Sequence, residues 1–181
     1  MEAVLDFYAQ VPDQQNPRLC FDERPCQLLS DVLAPLPVQP GKVAKEDNEY
    51  VRKGTAVVLL AYDLDSGQRY VQVRQRRTKR DYAEFMQQLL TNYYPSVNQV
   101  HVLQDNLNTH QAGSFYDRFD AVTAHELANG FVFHYTPTHG SWLNMAEPGG
   151  RSHRVCRLIQ TVPRPTHWGY SNVGKRGTGL D

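Results

Sequence analysis

The chain has 181 residues, 40% of them apolar, with 19 Lys+Arg against 19 Asp+Glu and three Cys. That size suffices for one ordinary domain with a real core and leaves no room for a second. An odd cysteine count without CxxC spacing supports neither a disulfide framework nor a zinc knuckle, and with no secretory or membrane-spanning segment a reducing, cytoplasmic setting is the default. The zero net charge divides at Glu147: residues 1–147 carry 13 Lys+Arg against 18 Asp+Glu, giving −5, and 148–181 carry 6 against 1, giving +5.

Taken in order, MEAVLDFYAQ sets Val4, Leu5, Phe7 and Tyr8 at helical spacing and predicts a short connecting helix over residues 1–16. The run leading out of Pro17 predicts a first strand, Asn16 to Phe21, with Asp22 at its end beside Glu23. Pro25, Pro35, Pro37 and Pro40 then forbid a regular helix between Cys26 and Gly41, and Lys42 to Lys53 alternates charges without apolar period, so an irregular excursion is expected. Thr55 to Tyr62 is a nearly continuous apolar run, as in a strand buried on both faces. Asp65, Ser66 and Gly67 supply a turn, and Arg69 to Val73 returns as the second strand of a hairpin.

Arg74, Arg76, Arg77, Lys79 and Arg80 place five cations in seven residues, and Thr78 with Asp81 three positions on predicts a capped helix carrying Tyr82, Phe85, Met86, Leu89, Leu90 and Tyr93. Its basic start is either a grip on backbone phosphate or a solvated rim. Pro95 stops the helix, and Val100 to Leu103 is a β-type run that delivers Asp105 at a strand end, where α/β sheets place their sites. Further helices are expected near Ser114 to Phe119 and from Ala121 to Ala128, closed by Asn129 and Gly130, followed by a strand Phe131 to Tyr135. Ser141 is expected to cap a short helix carrying Trp142, Leu143 and Met145 and ending at Glu147, with Trp142 in the core.

One acid on each of three elements, Asp22, Asp105 and Glu147, suits a hard-cation site. Glu23 is a decoy for Asp22, as Asp120 and Glu126 are for Asp105. Asn106, Asn108 and His110 either position Asp105 or DNA, or form a capping turn. Zinc on His110, His134 and His139 lacks supporting Cys or paired-His spacing.

The motifs CFDE at 20–23, QDNLNTH at 104–110 and HYTPTHGSWLNMAE at 134–147 occur in the order found in the Tc/mariner-type DDE transposases, and the chain resembles their bacterial insertion-sequence branch from about Leu19 to Glu147. The resemblance implies an α/β, RNase H-like fold with a mixed central sheet flanked by helices, occupying residues 17–147. It implies that Asp22, Asp105 and Glu147 are catalytic and hold two Mg²⁺ (or Mn²⁺) ions for DNA cleavage and strand transfer, with Asp22 bridging both. Its partners are DNA, as transposon ends and target, with a homodimer left open and no membrane. Arg52 and Lys53, together with Lys42 and Lys45, are its phosphate-contact candidates, beside Arg76, Arg77, Lys79 and Arg80 in the basic run.

Two departures from the family pattern stand out. No helix-turn-helix module precedes Asp22, so end recognition is expected to be absent. Pro148, Gly149 and Gly150 end the helix that family members continue past the glutamate. Residues 148–181 therefore read as an atypical basic tail, disordered through a broken reading frame or acting as a basic DNA-binding segment. The corresponding functional expectations are an impaired transposase catalytic domain or an inactive nucleic-acid-binding remnant.

Overall fold

The computed structural model describes residues 1–31 and 50–146, excluding the side chains of 29–31 and 50. Glu147, Lys42, Lys45 and the basic tail lie outside the described residues. Five strands form one sheet: β1 (Arg18–Asp31), β2 (Tyr50–Asp63), β3 (Arg69–Arg74), β4 (Val100–Gln104) and β5 (Phe131–Tyr135), in the order β3-β2-β1-β4-β5. The β1, β2 and β3 strands pair antiparallel, whereas β4 and β5 continue the sheet in parallel. The predicted mixed α/β, RNase H-like architecture is observed, with strand, hairpin, helix, strand, helices and strand in the expected order; the helix expected last is not formed among the described residues.

Helices cover both faces, which explains why β2 reads as a continuous apolar run. Val57, Leu59 and Ala61 join the main core with Leu19, Phe21, Val100 and Val102, under α2 (Lys79–Tyr93), α3 (Gly113–Tyr116) and α4 (Ala121–Asn129). Val58 faces the other way, beside Cys26. Opposite the main core, Val4 and Phe7 of α1 (Glu2–Ala9) pack on Cys20, Leu103 and Ala146. The opening helix expected as a connector is thus docked on the sheet, although Leu5 of its apolar set remains exposed.

The main correction concerns the first hairpin. Strand β1 does not end at Asp22 but runs through Pro25 to Asp31, and β2 begins at Tyr50, within the segment expected to be irregular. Pairing with β4 stops at Cys20, so beyond it Pro25 stands where β1 has β2 alone as a paired neighbour; proline is tolerated on such an edge because one side needs no N–H donor. The register shifts between Leu28 and Leu29, where Lys53 is the extra residue and Gly54 adopts φ 112°, a conformation that glycine allows in a bulge. Charge alternation without apolar period conceals such a ribbon, whose strands are joined by backbone pairing from Leu28 to Asp31 and Tyr50 to Gly54.

Helix α2 starts as predicted. The Thr78 hydroxyl accepts from the Asp81 N–H, and the Asp81 carboxylate accepts from the Thr78 N–H, while Tyr82, Phe85, Met86 and Leu89 are buried beneath the helix. Thr78→Ala is expected to cost about 1 kcal/mol in a denaturant melt with no change in slope. Asp120, a decoy for Asp105, caps α4; bonds first from Thr123 and then from backbone N–H groups hold its carboxyl below the ordinary carboxylate range.

The 134–147 motif folds differently from the expected helix. After the β5 residues His134 and Tyr135, its described part, ending at residue 146, holds one 3-10 turn, Ser141–Leu143, preceded by Gly140, and Ser141 makes no side-chain cap. His139 adopts φ 62°, and a Cβ on Gly140 would lie 2.6 Å from the Pro137 ring and 3.0 Å from its carbonyl oxygen, so only glycine fits this turn. Trp142 is 65% exposed and Met145 59%, contrary to the expected core position for Trp142. A tight double turn, with Gly140 N–H on Pro137 O and Asn144 N–H on Ser141 O, presents Asn144 and Ala146 inward instead.

Candidate active site

Asp22 and Asp105 are brought to one place by strand register. The parallel pairs Arg18 with His101, Leu19 with Val102 and Cys20 with Leu103 end there, and continuing the register by two residues sets Asp22 beside Asp105. Asp22 is therefore mid-strand in β1 yet stands where β1 loses its β4 neighbour, at the open carboxyl end of the parallel half of the sheet. Its carboxylate accepts the Glu23 N–H at 2.9 Å. By strand alternation Asp22 shares a face with Cys20, while Glu23 shares one with Phe21.

Asp105 follows β4 directly and is 30% exposed at its side chain. One of its oxygens accepts from Nδ1 of His110, an imidazole with no exposed surface. The other ring nitrogen lies 3.4 Å from the Glu23 carboxylate, whose own exposure is 4%, and the second Glu23 oxygen lies 3.2 Å from Nε of Arg77. These last two contacts have ion-pair separation without the alignment of hydrogen bonds. Burial alone would push the His110 pKa down, but the contacts with Asp105 and then Glu23 outweigh it and carry the group up to about 9.

The loop between Asp105 and His110 is tied to the core through Gln104. This fully buried amide donates to the His110 carbonyl at 2.7 Å and accepts the Tyr82 hydroxyl at 2.9 Å. Of the readings left open for His110, the positioning of Asp105 is the one its contacts support. Of the other histidines considered for zinc, His134 has different surroundings: its Nε2 meets His101 Nδ1 at 3.1 Å, and burial lowers the pKa values of this pair.

The segment leading to Glu147 is seated by four hydrogen bonds that sequence reasoning missed. Asn144 donates to the Phe21 carbonyl at 2.7 Å, one residue from Asp22, and its own Oδ1 accepts the Ala146 N–H at 3.0 Å. The Tyr8 hydroxyl donates to the Leu143 carbonyl at 2.7 Å and accepts the Met145 N–H at 3.1 Å. A buried Asn among apolar neighbours in SWLNMAE was the available signal; nothing local marks Tyr8.

Most of the basic run is engaged with the protein itself. Arg74 pairs with Glu84 and Asp81, Arg77 with Glu23 and Lys79 with Asp117, while Arg80 donates to the Asp117 carbonyl. Arg76 and Arg52 are exposed, as is Lys53 at the bulge. The described acids offer oxygen donors from two adjacent strands, the chemistry that Mg²⁺ or Mn²⁺ requires, and His110 engages only one Asp105 oxygen, so the donor set fits such an ion. Among the described residues no group of three His, Cys, Asp or Glu side chains forms a metal-holding cluster.

The chain thus presents a mixed sheet with two acids at the open end of its parallel half. The family model described as DDE superfamily endonuclease matches residues 17–149, and the chain belongs to that family. Solved structures similar to it include the Mos1 mariner paired end complex with Mn (16% identity, TM-score 0.45, covering 88% of this chain and 51% of that one) and a pre-cleavage Mos1 transpososome (15% identity, TM-score 0.45, covering 87% and 51%). The Mos1 strand transfer complex is also similar (16% identity, TM-score 0.42, covering 73% and 39%). The chain thus spans about half or less of the length of these structures. No curated protein matches it. None of the helices among the described residues is long and apolar enough to cross a membrane.

Proposed function

We propose that this chain is the catalytic domain of a mariner-type transposase, cleaving and joining DNA with divalent ions held by Asp22, Asp105 and Glu147, and that the residues after Glu147 impair its activity. The observation that carries the reading is the coincidence of the family match, residues 17–149, with the region in which β1 and β4 bring Asp22 and Asp105 to the same sheet end. When bound, two Mg²⁺ or Mn²⁺ ions would stabilise the attacking and leaving oxygens of a phosphodiester. Within this reading Asp22 and Asp105 anchor the pair from neighbouring strands, and the Asn144 and Tyr8 contacts support the approach to Glu147.

Exposed Arg52, Lys53 and Arg76 are the first DNA contacts in this reading. Lys79 and Arg80 join them on binding, since the Lys79 pair with Asp117 is about half exposed on both sides and such pairs are worth only about 0–1 kcal/mol. Arg77 is the least available, being committed to buried Glu23. Binding through these cations is electrostatic and weakens steeply with salt. A homodimer bringing two DNA ends together belongs to the same reading.

The Pro148-Gly149-Gly150 run favours a second reading, an inactive nucleic-acid-binding remnant. Supercoiled plasmid nicking and strand transfer separate the two. The expected result is weak Mn²⁺-dependent nicking, abolished by Asp22→Ala and by Asp105→Ala, with little strand transfer. Salt-sensitive DNA binding with no nicking in either metal supports the remnant. Mg²⁺-dependent transfer equal to that of a chain whose tail is replaced by a family-like helix would overturn the claim of impairment.

A further inference from the structure

The dipeptide Asp22-Glu23 sends adjacent carboxylates to opposite faces of β1, and only the first is explained by a metal site. Glu23 is a carboxylate with 4% exposure on the α2 face, where an acid is costly to bury without partners. Its partners are Arg77 at 3.2 Å on one oxygen and the His110 ring at 3.4 Å on the other. That ring lies edge-on to Phe21 at 5.0 Å and tilted against Tyr82 at 5.1 Å, and the His110 backbone carbonyl accepts from Gln104. The remaining ring nitrogen meets Asp105.

We propose that Glu23 and His110 are positioning residues that act through Asp105, with Arg77 closing the outer end of the array. The inference rests on the metal-site reading of Asp105. A rigid imidazole whose far nitrogen faces a buried carboxylate has one orientation, so the Asp105 carboxylate it touches also has one. Metal-ligating groups depend on such outer partners, whose loss typically costs about 10–100-fold in affinity. The arrangement also accounts for Arg77, whose exposed position in a basic run suggested DNA, and for His110, which is buried rather than exposed to a phosphate.

The test is a double-mutant cycle on the full chain, with Mn²⁺ affinity read by calorimetry and by electron paramagnetic resonance of free Mn²⁺. Glu23→Gln keeps the shape of the side chain and removes its charge; His110→Gln serves as the second variant, and circular dichroism melts establish that each is folded. The expected result is a 10–100-fold weaker Kd for either variant, and less than a twofold further effect of Glu23→Gln in an Asp105→Asn background, where Asp22 still supports weak binding. Wild-type affinity in Glu23→Gln, or an equal loss in both backgrounds, overturns the positioning role while leaving the metal site standing. Unchanged affinity in Asp105→Asn itself overturns both.

Discussion

Arg18→Met is expected to lower the stability of the fold by about 3–5 kcal/mol, because it removes one partner from a buried ionic cluster. The guanidinium is 7% exposed as a residue and donates to the carbonyls of Phe7, Tyr8 and Gln10 at 3.1, 3.3 and 2.6 Å, with its second nitrogen on Asp65. It thereby closes the carboxyl end of α1, where helices leave carbonyls unpaired and cations are favoured. Methionine fills much of the volume but satisfies none of these groups. For a chain of this size the midpoint of thermal unfolding should fall by about 10 °C. The eight-residue α1 has no stability of its own, so its amides should lose hydrogen-exchange protection before those of the sheet. A midpoint within 2 °C of wild type (about 1 kcal/mol or less), with α1 protection intact, would show that the cluster contributes little.

That expectation could not have been reached from the sequence. Arg18 reads there as an ordinary charged residue entering a strand, and its partners lie in a helix and in the β2–β3 turn, joined to it only by the fold. Where local chemistry decides structure, the reading succeeded: Thr78 and Asp81 specify the start of α2, the run from Thr55 to Tyr62 specifies a strand covered on both faces, and Phe131 to Tyr135 is a strand with the predicted bounds. Where pairing decides, it failed. The outer ribbon of β1 and β2 is invisible to periodicity, and Pro25 excludes a helix there without disclosing the edge strand that permits proline.

The candidate site divides along the same line. Strand ends can be read from sequence, so Asp105 stands where β4 predicted it, and Asp22 lies next to it although its strand continues. The array behind Asp105 depends on a residue five positions along the loop and another on a different strand, and alternation of Asp22 and Glu23 across the sheet is what separates ligand candidate from support. The expected Ser141-capped helix failed because His139 and Gly140 impose a turn whose geometry competes with a helical start. Asn144 was consequently assigned no role, although it now carries the most direct link between two motifs.

Asn144→Ala should break that link and free the last described turn before Glu147. The side chain is 4% exposed and serves both partners at once, donating to the Phe21 carbonyl and accepting the Ala146 N–H. Truncation leaves a buried N–H without its acceptor and removes a donor from a buried carbonyl, each costing about 1–3 kcal/mol where water cannot replace the partner. Two such losses make this, with Arg18→Met, the largest single-residue effect expected in the chain. The consequence should be local: the Ala146 amide should exchange about 10–100-fold faster, while Tyr8→Phe should expose the Met145 amide and leave Ala146 protected, because the two amides have separate acceptors. The segment carries an acid proposed as a metal ligand, and misplacement of about 1 Å can cost about 100-fold in rate, so any Mn²⁺-dependent nicking by the wild-type chain should fall in parallel. Wild-type exchange at Ala146 in Asn144→Ala would show that burial of Ala146 against Cys20 and Leu103, rather than the Asn144 bridge, seats the segment.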